Sequence, residues 1–316
     1  MGSSCIKIYT RLWHWCTFNL AVAWSRKLTQ QRILSEIEAA VASGQGATFS
    51  DIEFSSDPRL RSKKKYAEVI APFNVHIKNT SWVGINFRNC SISGLAFSDV
   101  RLRDCTFENC LLAVRNWGSF YKDSRFISCD MKSFSFGADD PSNANTFENV
   151  IFEKCNMQGR AVDYSKFEKS AFLNCRLDRV EFRQATISNS TFTGKLDDVV
   201  FGRDYTQRPT SINGADFSKA TLSYCIFPHT QVSHILAPEN PKNHVIKRFK
   251  EFVAELDRAI QADSNIGDVP LAGIFTTEYT SGSNFGILNE DDFRELLKPK
   301  GQALLAQMLS DPIWRE

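Results

Sequence analysis

Residues 147–192 read FENVIFEKCNMQGRAVDYSKFEKSAFLNCRLDRVEFRQATISNSTF, with a large apolar residue at every fifth position. Five is neither the helical period of 3.6 nor the strand period of 2. A helix would spread these residues around its circumference, and a flat strand would place alternate ones on opposite faces. The period therefore predicts a tandem repeat of five residues. The series is Phe147, Phe152, Met157, Val162, Phe167, Phe172, Leu177, Phe182, Ile187 and Phe192.

The same period extends this series in both directions, with short slips. Before it come Ile77, Trp82, Phe87, Ile92, Phe97, Leu102, Phe107, Leu112 and Trp117, then Phe126, Met131 and Phe136. After it, Leu196 and Phe201 stand out of phase, and Ile212, Phe217, Leu222, Phe227 and Val232 close the array. The repeat therefore covers residues 77–232 and predicts one continuous structural unit.

A second register lies two residues before each large apolar residue, where Cys, Ser, Ala or Val is usual. If five residues form one side of a square coil, both positions point inward, and the second must be small because four sides converge there. The remaining positions are polar, as an exterior requires. Larger residues in the small slots mark distorted corners or coil ends. These are Leu95, Arg115, Phe134, Asn145 and Arg160.

Residues 215–222, ADFSKATL, resemble the tandem consensus A(D/N)LXX of the pentapeptide-repeat family, as do residues 90–92 and 175–177. The resemblance implies a mainly β fold, a right-handed quadrilateral β-helix with four repeats per coil. With twenty residues per coil, Cys90 should stack on Cys110 and Cys155 on Cys175. We expect free thiols there, because the side chains point into a packed core.

The flanks of the array are predicted to be helical. Residues 1–76 form an N-terminal helical or capping region, with a helix near 29–42, and residues 233–316 form a C-terminal helical region. The clearest helix is 243–262, whose apolar stripe needs burial over the last coil or in a homodimer. Shorter helices are expected at 290–298 and 301–310, separated from the first by an irregular loop at 264–288. The resemblance also makes a homodimer through the C-terminal helices plausible.

The apolar run at residues 11–24 includes Trp13, Trp15 and Phe18. It is too short to cross a membrane as a helix. Its tryptophans and basic flanks suit a membrane surface or a partner groove. The alternative is that it packs on the open end of the coil.

No catalytic, cofactor or metal-binding motif is recognisable, and we expect a non-enzymatic protein without cofactors. Seven of the nine cysteines lie in the repeat, where we interpret them as buried thiols. The sequence shows no secretory signal peptide with a clean apolar core. Both features predict a reducing, cytoplasmic location, peripheral to a membrane if residues 11–24 bind one.

Two surface segments are candidates for partner binding. The basic run 59–65 includes Arg61, Lys63 and Lys64, which could bind phosphates, or could be a solvated linker. Residues 202–209 interrupt the repeat and offer Arg203, Tyr205 and Arg208 to a partner, unless the loop is a neutral insertion.

Charge separates the possible functions. The chain has a net charge of +2, and residues 77–232 hold 19 Lys and Arg against 17 Asp and Glu. This balance argues against nucleic-acid binding and favours a protein-interaction module, a rigid rod that binds a protein partner through its loops and flanking helices. The family resemblance offers a second possibility, a DNA mimic that modulates or protects type II topoisomerase (DNA gyrase), but mimicry needs an acidic surface. A third is a secreted or membrane-associated bacterial effector anchored by residues 11–24.

Overall fold

A computed structural model describes residues 32–44, 46–50, 75–137, 140–203, 208–267, 284–294 and 297–314. Short β-strands dominate, and helices occur only at the two ends of the described chain. The strands are β1 Ala47–Ser50, β2 Val75–Lys78, β3 Ser81–Val83, β4 Ile85–Arg88, β5 Ser91–Ser98, β6 Arg101–Arg103, β7 Thr106–Glu108, β8 Leu111–Trp117, β9 Phe120–Lys122, β10 Arg125–Ile127, β11 Thr146–Glu148, β12 Ile151–Glu153, β13 Ala161–Asp163, β14 Lys166–Glu168, β15 Ala171–Leu173, β16 Glu181–Arg183, β17 Thr186–Ser188, β18 Thr191–Asp197, β19 Thr210–Asn213, β20 Ala220–Ser223, β21 Thr230–Ser233, β22 Asn243–Ile246 and β23 Gly286–Asn289. The helices are α1 (residues 32–43), α2 Phe249–Ala262, α3 Glu290–Arg294 and α4 Pro299–Ser310, with single 3₁₀ turns at Pro141–Asn143 and Pro312–Trp314.

The strands coil into a four-sided parallel solenoid, as the five-residue period predicted. Lys166 pairs with Thr186 and Ala171 with Thr191, so a regular coil takes twenty residues. We name the four faces A to D in chain order. Their buried central residues include Phe87, Phe107, Phe126, Phe152, Phe172 and Phe192 on face A; Ile92, Leu112, Met131, Met157, Leu177 and Leu222 on face B; Phe97, Phe136, Val162, Phe182, Phe201 and Phe227 on face C; and Trp82, Leu102, Tyr121, Phe147, Phe167, Ile187 and Ile212 on face D.

The corners between faces are made by single residues in the left-handed backbone region. Asn and Asp are common there, for example Asn89 with φ 53° and Asn189 with φ 48°. Both residue types tolerate this region because their short side chains can hydrogen-bond locally. Lys154 and Tyr164 adopt the same conformation, which the pairing of the strands on either side imposes. The residue in the left-handed conformation between two repeats therefore sets the angle between neighbouring faces of the coil.

The interior is filled by stacked phenylalanines. On face A the rings of Phe107 and Phe126 lie 4.9 Å apart and nearly parallel, and those of Phe172 and Phe192 lie 4.8 Å apart. These separations match the spacing of neighbouring strands. Rings from adjacent faces meet edge to face, as Phe167 and Phe182 do at 6.1 Å. A ring without a polar group suits this dry interior, which accounts for the excess of Phe over Tyr and Trp.

The small slots are hydrogen-bond donors as well as spacers. Where the slot holds Cys, Ser or Thr, the side chain often donates to the carbonyl of a central residue in the preceding coil, as Cys129 does to Phe107 at 3.2 Å and Thr210 to Phe182 at 2.8 Å. Cysteines hold this slot in five successive coils: Cys90, Cys110, Cys129, Cys155 and Cys175. The predicted stacking is confirmed, since Leu111 donates to the Cys90 carbonyl and Arg176 to the Cys155 carbonyl, and all five are free thiols.

One coil departs from the expected register. Strand β8 runs across faces B and C without a corner, and a bulge in its partner β5 sets Leu95 opposite Val114 and Asn116 opposite Phe97. Residues in a straight strand alternate, so Val114 and Asn116 point inward. The sequence prediction for Trp117 was therefore wrong: it lies half-buried on the outside, and Tyr121 takes the next central position.

The solenoid begins before residue 77. Strand β1 pairs with β4 and sets Phe49 against Phe87, which a spacing search misses because the two lie far apart in the chain. Helix α1 covers this end, burying Ile33 and Ile37 in the same core. The predicted N-terminal helix is thus present over 32–43.

The C-terminal end is covered in two layers. The two-stranded antiparallel sheet of β22 and β23 turns Val245 and Ile287 towards the last coil and Ile246 and Leu288 towards α2. The apolar stripe of α2 is buried in this second core, together with α4 and Trp314. The stripe is therefore covered by the chain itself. None of the helices in the described part of the chain has the length and apolar character needed to cross a bilayer.

Several predicted boundaries in this region were wrong. The helix expected over 243–262 starts at Phe249, because residues 243–246 pair with a strand more than forty residues away. The loop expected over 264–288 contains the start of that strand at Gly286. The helix expected at 290–298 ends at Arg294, and Pro299 begins α4 instead of ending its predecessor. Proline fits this first helical position because no intrahelical donor is needed there.

Side chains replace the missing next coil at this end. The Asn243 amide accepts from the Leu222 N–H at 3.1 Å and donates to its carbonyl at 2.7 Å, where Asn289 also donates. Asp292 accepts from the Ser223 hydroxyl at 2.7 Å and from the Tyr224 N–H at 2.6 Å. The backbone edge of face B is thereby satisfied, so it cannot template another strand.

Candidate recognition groove

Most of the predicted partner-binding residues lie outside the described residues: Trp13, Trp15, Phe18, Arg61, Lys63, Lys64 and Tyr205. Arg203 and Arg208 are described, and both are exposed. They flank the loop of residues 204–207, so the structure places them at its two ends.

Arg208 is held against the solenoid. Its backbone N–H donates to the Gln184 side chain at 3.3 Å, its guanidinium donates to the Gln184 carbonyl at 3.0 Å, and it lies 6.0 Å from the ring of Tyr164. At the other end Gly202 has φ 124°, and a Cβ there would meet the Pro228 carbonyl at 1.9 Å. Gly202 and Arg208 are therefore held against the solenoid on either side of residues 204–207.

A second interruption, which the sequence analysis did not single out, lies at residues 137–144. The regular ladder continues as far as the Ser135 N–H, which donates to the Val114 carbonyl at 2.9 Å. Beyond it, Gly118 donates to the Asn143 carbonyl at 2.7 Å instead of to a residue one regular coil away. The signal in the sequence was the spacing of Phe136 and Phe147, which are eleven residues apart although they lie on successive faces, where the period requires five.

Asn145 closes the ladder where the two coils separate. Its amide donates to the carbonyls of Asn116 and Phe136, each at 2.9 Å, and accepts from the Ser119 N–H at 3.0 Å. The side chain is fully buried and takes the place of backbone groups that the insertion has displaced. This explains an asparagine in a slot where smaller residues are usual.

The inserted segment is ordered by a capped 3₁₀ turn. The Asp140 carboxylate accepts from the Ser142 hydroxyl at 2.6 Å and from the Ser142 N–H at 2.7 Å. These hydrogen bonds lower the pKa of Asp140, so its charge is retained at neutral pH. Pro141 follows as the first residue of the turn, which favours the same geometry.

Between the separated coils lies a groove of about 510 Å³. It is lined by Arg115, Asn116, Trp117, Ser135, Gly137, Asp140 and Asn143. Its outer wall is fixed by Trp117, whose ring lies 5.3 Å from that of His76, which in turn contacts the Ser98 hydroxyl at 2.9 Å. The groove thus combines an indole, a guanidinium and a carboxylate on a rigid frame. Its volume is in the range of small-ligand and side-chain pockets.

The thiols in the interior are not reactive centres. Burial raises the pKa of Cys105 to about 11 and that of Cys225 to about 12. A hydrogen bond with the Cys129 thiol, together with burial, raises the pKa of Cys110 to about 12, although its hydrogen bonds with Cys90 act in the opposite direction. A thiol must ionise to act as a nucleophile, so these do not. No cluster of three metal-binding side chains occurs among the residues that the structure describes.

Residues 73–109 match the family description "Pentapeptide repeats", with 8 copies. The chain carries pentapeptide repeats. The match covers the N-terminal part of the solenoid, where the small slots and central residues first alternate. A comparison with curated proteins finds no match.

Solved pentapeptide-repeat structures are similar to this chain. HetL, a pentapeptide repeat protein involved in heterocyst differentiation regulation from the cyanobacterium Nostoc sp. strain PCC 7120, is 14% identical, with a TM-score of 0.26, and the match covers 64% of this chain and 91% of HetL. QnrB1, a plasmid-mediated fluoroquinolone resistance protein, is 13% identical, with a TM-score of 0.25, and the match covers 60% of this chain and 92% of QnrB1.

Proposed function

We propose that this pentapeptide-repeat protein is a non-enzymatic interaction module that binds a protein partner at the interruptions of its solenoid. The groove at residues 115–117 and 135–143 carries the proposal. The solenoid supplies a rigid frame, and the insertion is the place where that frame opens into a concave, lined surface. Concave sites with an aromatic and an arginine are the usual anchors of protein interfaces.

The loop that follows Gly202 is a second contact site on the same coil system. Arg203 is exposed beside it, while Arg208 fixes its return to the solenoid. Binding through residues 11–24 and 59–65, at a membrane or a partner, stays a prediction, and so does a homodimer.

Mimicry of duplex DNA is not supported by the charges on the solenoid. Cations and anions alternate along its faces, as in the pairs Arg88 with Glu108 and Lys122 with Glu148, at 2.8 and 2.5 Å. A mimic must present repeated negative charge where phosphates would lie. A surface of compensated pairs does not do so.

The test compares proteins recovered by the intact chain with those recovered by Trp117→Ala. Tyr224→Ala, an exposed aromatic at the far end of the solenoid, is the matched control. We expect a partner that copurifies with the parent chain and the control and is lost with Trp117→Ala, while all three melt at similar temperatures. Recovery of the same proteins by all three would exclude the groove as the recognition site.

A further inference from the structure

A second surface adjoins the groove, on face D at the same end of the solenoid. We call it the cationic–apolar patch: Val83, Arg101, Arg103, Phe120 and Lys122. Strand pairing places Arg101 beside Phe120, and Arg103 between Val83 and Lys122. Because side chains alternate along a strand, all five point outward from the coil.

The apolar members of the patch are out of place on this exterior. Val83 is 46% exposed, and Phe120 is partly buried, on a face whose outward positions are mostly polar. The two apolar side chains lie at opposite corners of the patch, with Arg101 and Arg103 between them. Aromatic and aliphatic groups of this kind form the centre of protein interfaces.

The charged members of the patch are available to a ligand. The Arg101 side chain makes no hydrogen bond or ion pair with any residue in the described ranges. Arg103 contacts Asp104 at 3.2 Å, with both groups more than half exposed, and such pairs exchange readily with other partners. Lys122 is held by Glu148, which raises the pKa of its ammonium group. The patch therefore presents two cations beside the Phe120 ring: Lys122, which Glu148 holds in place, and Arg101, which has no ion-pair partner among the described residues.

The patch and the groove are continuous. Trp117 lines the groove, and Phe120 follows it around the corner between faces C and D. The corner is tight: Gly118 has φ 63°, and a Cβ there would lie 2.7 Å from the Asp99 carboxylate. A bound segment could pass from one surface to the other without crossing a protruding side chain at this corner.

We propose that the cationic–apolar patch binds an acidic segment of the protein partner, one that places an apolar side chain over Phe120 and carboxylates beside Arg101 and Arg103. This inference rests on the proposed function and names the chemistry of the partner. Opposite charge around an apolar centre sets the register of such a segment.

A nucleic acid would also meet cations beside an aromatic ring, but the observations favour a peptide. Binding to nucleic acid draws mainly on many phosphate contacts, and the whole chain carries a net charge of only +2. A peptide needs only two or three carboxylates at defined places.

The experiment measures binding of fluorescent peptides of defined composition to the full chain. One peptide alternates acidic with leucine and phenylalanine residues, a second replaces the acids by lysine, and a third replaces the apolar residues by serine. A single-stranded oligonucleotide is the fourth probe. We expect the acidic–apolar peptide to bind most tightly and the double variant Arg101→Glu/Arg103→Glu to weaken it about tenfold.

Lys154→Glu/Lys195→Glu is the matched control, because it makes the same change in net charge at exposed lysines on other parts of the solenoid. It should bind the acidic–apolar peptide like the parent chain. Equal binding of the lysine peptide, preference for the oligonucleotide, no binding of any peptide, or an undiminished affinity of the arginine variant would each overturn the inference. If Trp117→Ala loses the natural partner but one of these four results is obtained, the proposed function stands and only the inference about an acidic segment is excluded.

Discussion

At the scale of single residues, the structure accounts for positions where the sequence pattern fails. Asn145, Phe134 and Arg160 all occupy slots where the pattern calls for a small residue. The first is explained by its three hydrogen bonds, the second by burial against Phe136 at a ring distance of 4.8 Å. The Arg160 guanidinium is partly buried, which lowers its pKa. Spacing could reveal that these positions are irregular, but not what each one contacts.

Replacing Asn145 by Ala should destabilise the protein and open the groove. The change removes three hydrogen bonds and leaves the carbonyls of Asn116 and Phe136 without this partner, so we expect a loss of about 3 kcal/mol. Chemical denaturation measures the effect. Lys166→Ala, at an exposed strand position in the next coil, is the control, and an equal loss for both would contradict the role of Asn145.

Replacing Tyr121 by Phe should stabilise the protein. Its hydroxyl is buried near the Asn116 amide but makes no hydrogen bond of good geometry with any described residue, while its ring stacks on Phe147 at 4.9 Å. A buried unpaired hydroxyl costs about 1–3 kcal/mol, so Tyr121→Phe should raise the free energy of unfolding by about 1 kcal/mol. Thermal and denaturant unfolding provide the measurement. A loss of stability would show that the hydroxyl has a partner, such as a bound water.

At the scale of elements, strands were predicted well where the pairing is one coil away and badly where it is not. The period locates β11 to β15 because each contacts its neighbour twenty residues on. It cannot locate β22, because the pairing with β23 depends on a contact across more than forty residues. The groove was missed for a related reason: its two walls meet only after the inserted turn folds.

The C-terminal cap should lose stability in acid. Asp263, at the end of α2, contacts Lys300 of α4 at 2.6 Å and accepts from Asn265, and these contacts lower its pKa to about 2. A carboxyl with a lowered folded pKa stabilises above its unfolded pKa near 3.8, and this stabilisation disappears as the pH falls towards 2.

Hydrogen exchange of α2 and α4 between pH 4 and pH 2 tests the prediction for this exposed group. Asp263→Asn should exchange faster than the parent at neutral pH and should be less sensitive to acid. Exchange in the solenoid strands β14 and β15, which lie far from the cap in the chain, is the internal reference. A parent cap that is equally protected at both pH values would contradict the role of Asp263.

At the scale of the whole molecule, the repeat makes the protein nearly one-dimensional. Each coil contacts mainly the coils before and after it, so stability should be close to a sum of coils and their interfaces. The two ends differ from the middle because α1 and the β22–β23 sheet replace a neighbouring coil. The interruptions at 137–144 and 202–209 leave the sides of the coil without breaking the stack. Recognition and folding are thereby assigned to different parts of the same coil.

Removing one whole coil should therefore leave a folded protein. Deletion of residues 166–185 joins Ser165 to Thr186, which are equivalent to neighbours in the parent because Lys166 pairs with Thr186. Every remaining central residue keeps its face, so we expect a shorter solenoid with a similar circular dichroism spectrum per residue and cooperative unfolding at a lower temperature.

Deletion of residues 171–185 removes only three sides. It moves each later residue to a different face: Ile187 of face D would stack on Phe152 of face A, and Phe192 of face A on Met157 of face B. This variant should aggregate or unfold non-cooperatively, since a shifted register exposes the stacked rings. Similar melting of the two deletions would contradict a four-sided coil with a twenty-residue repeat.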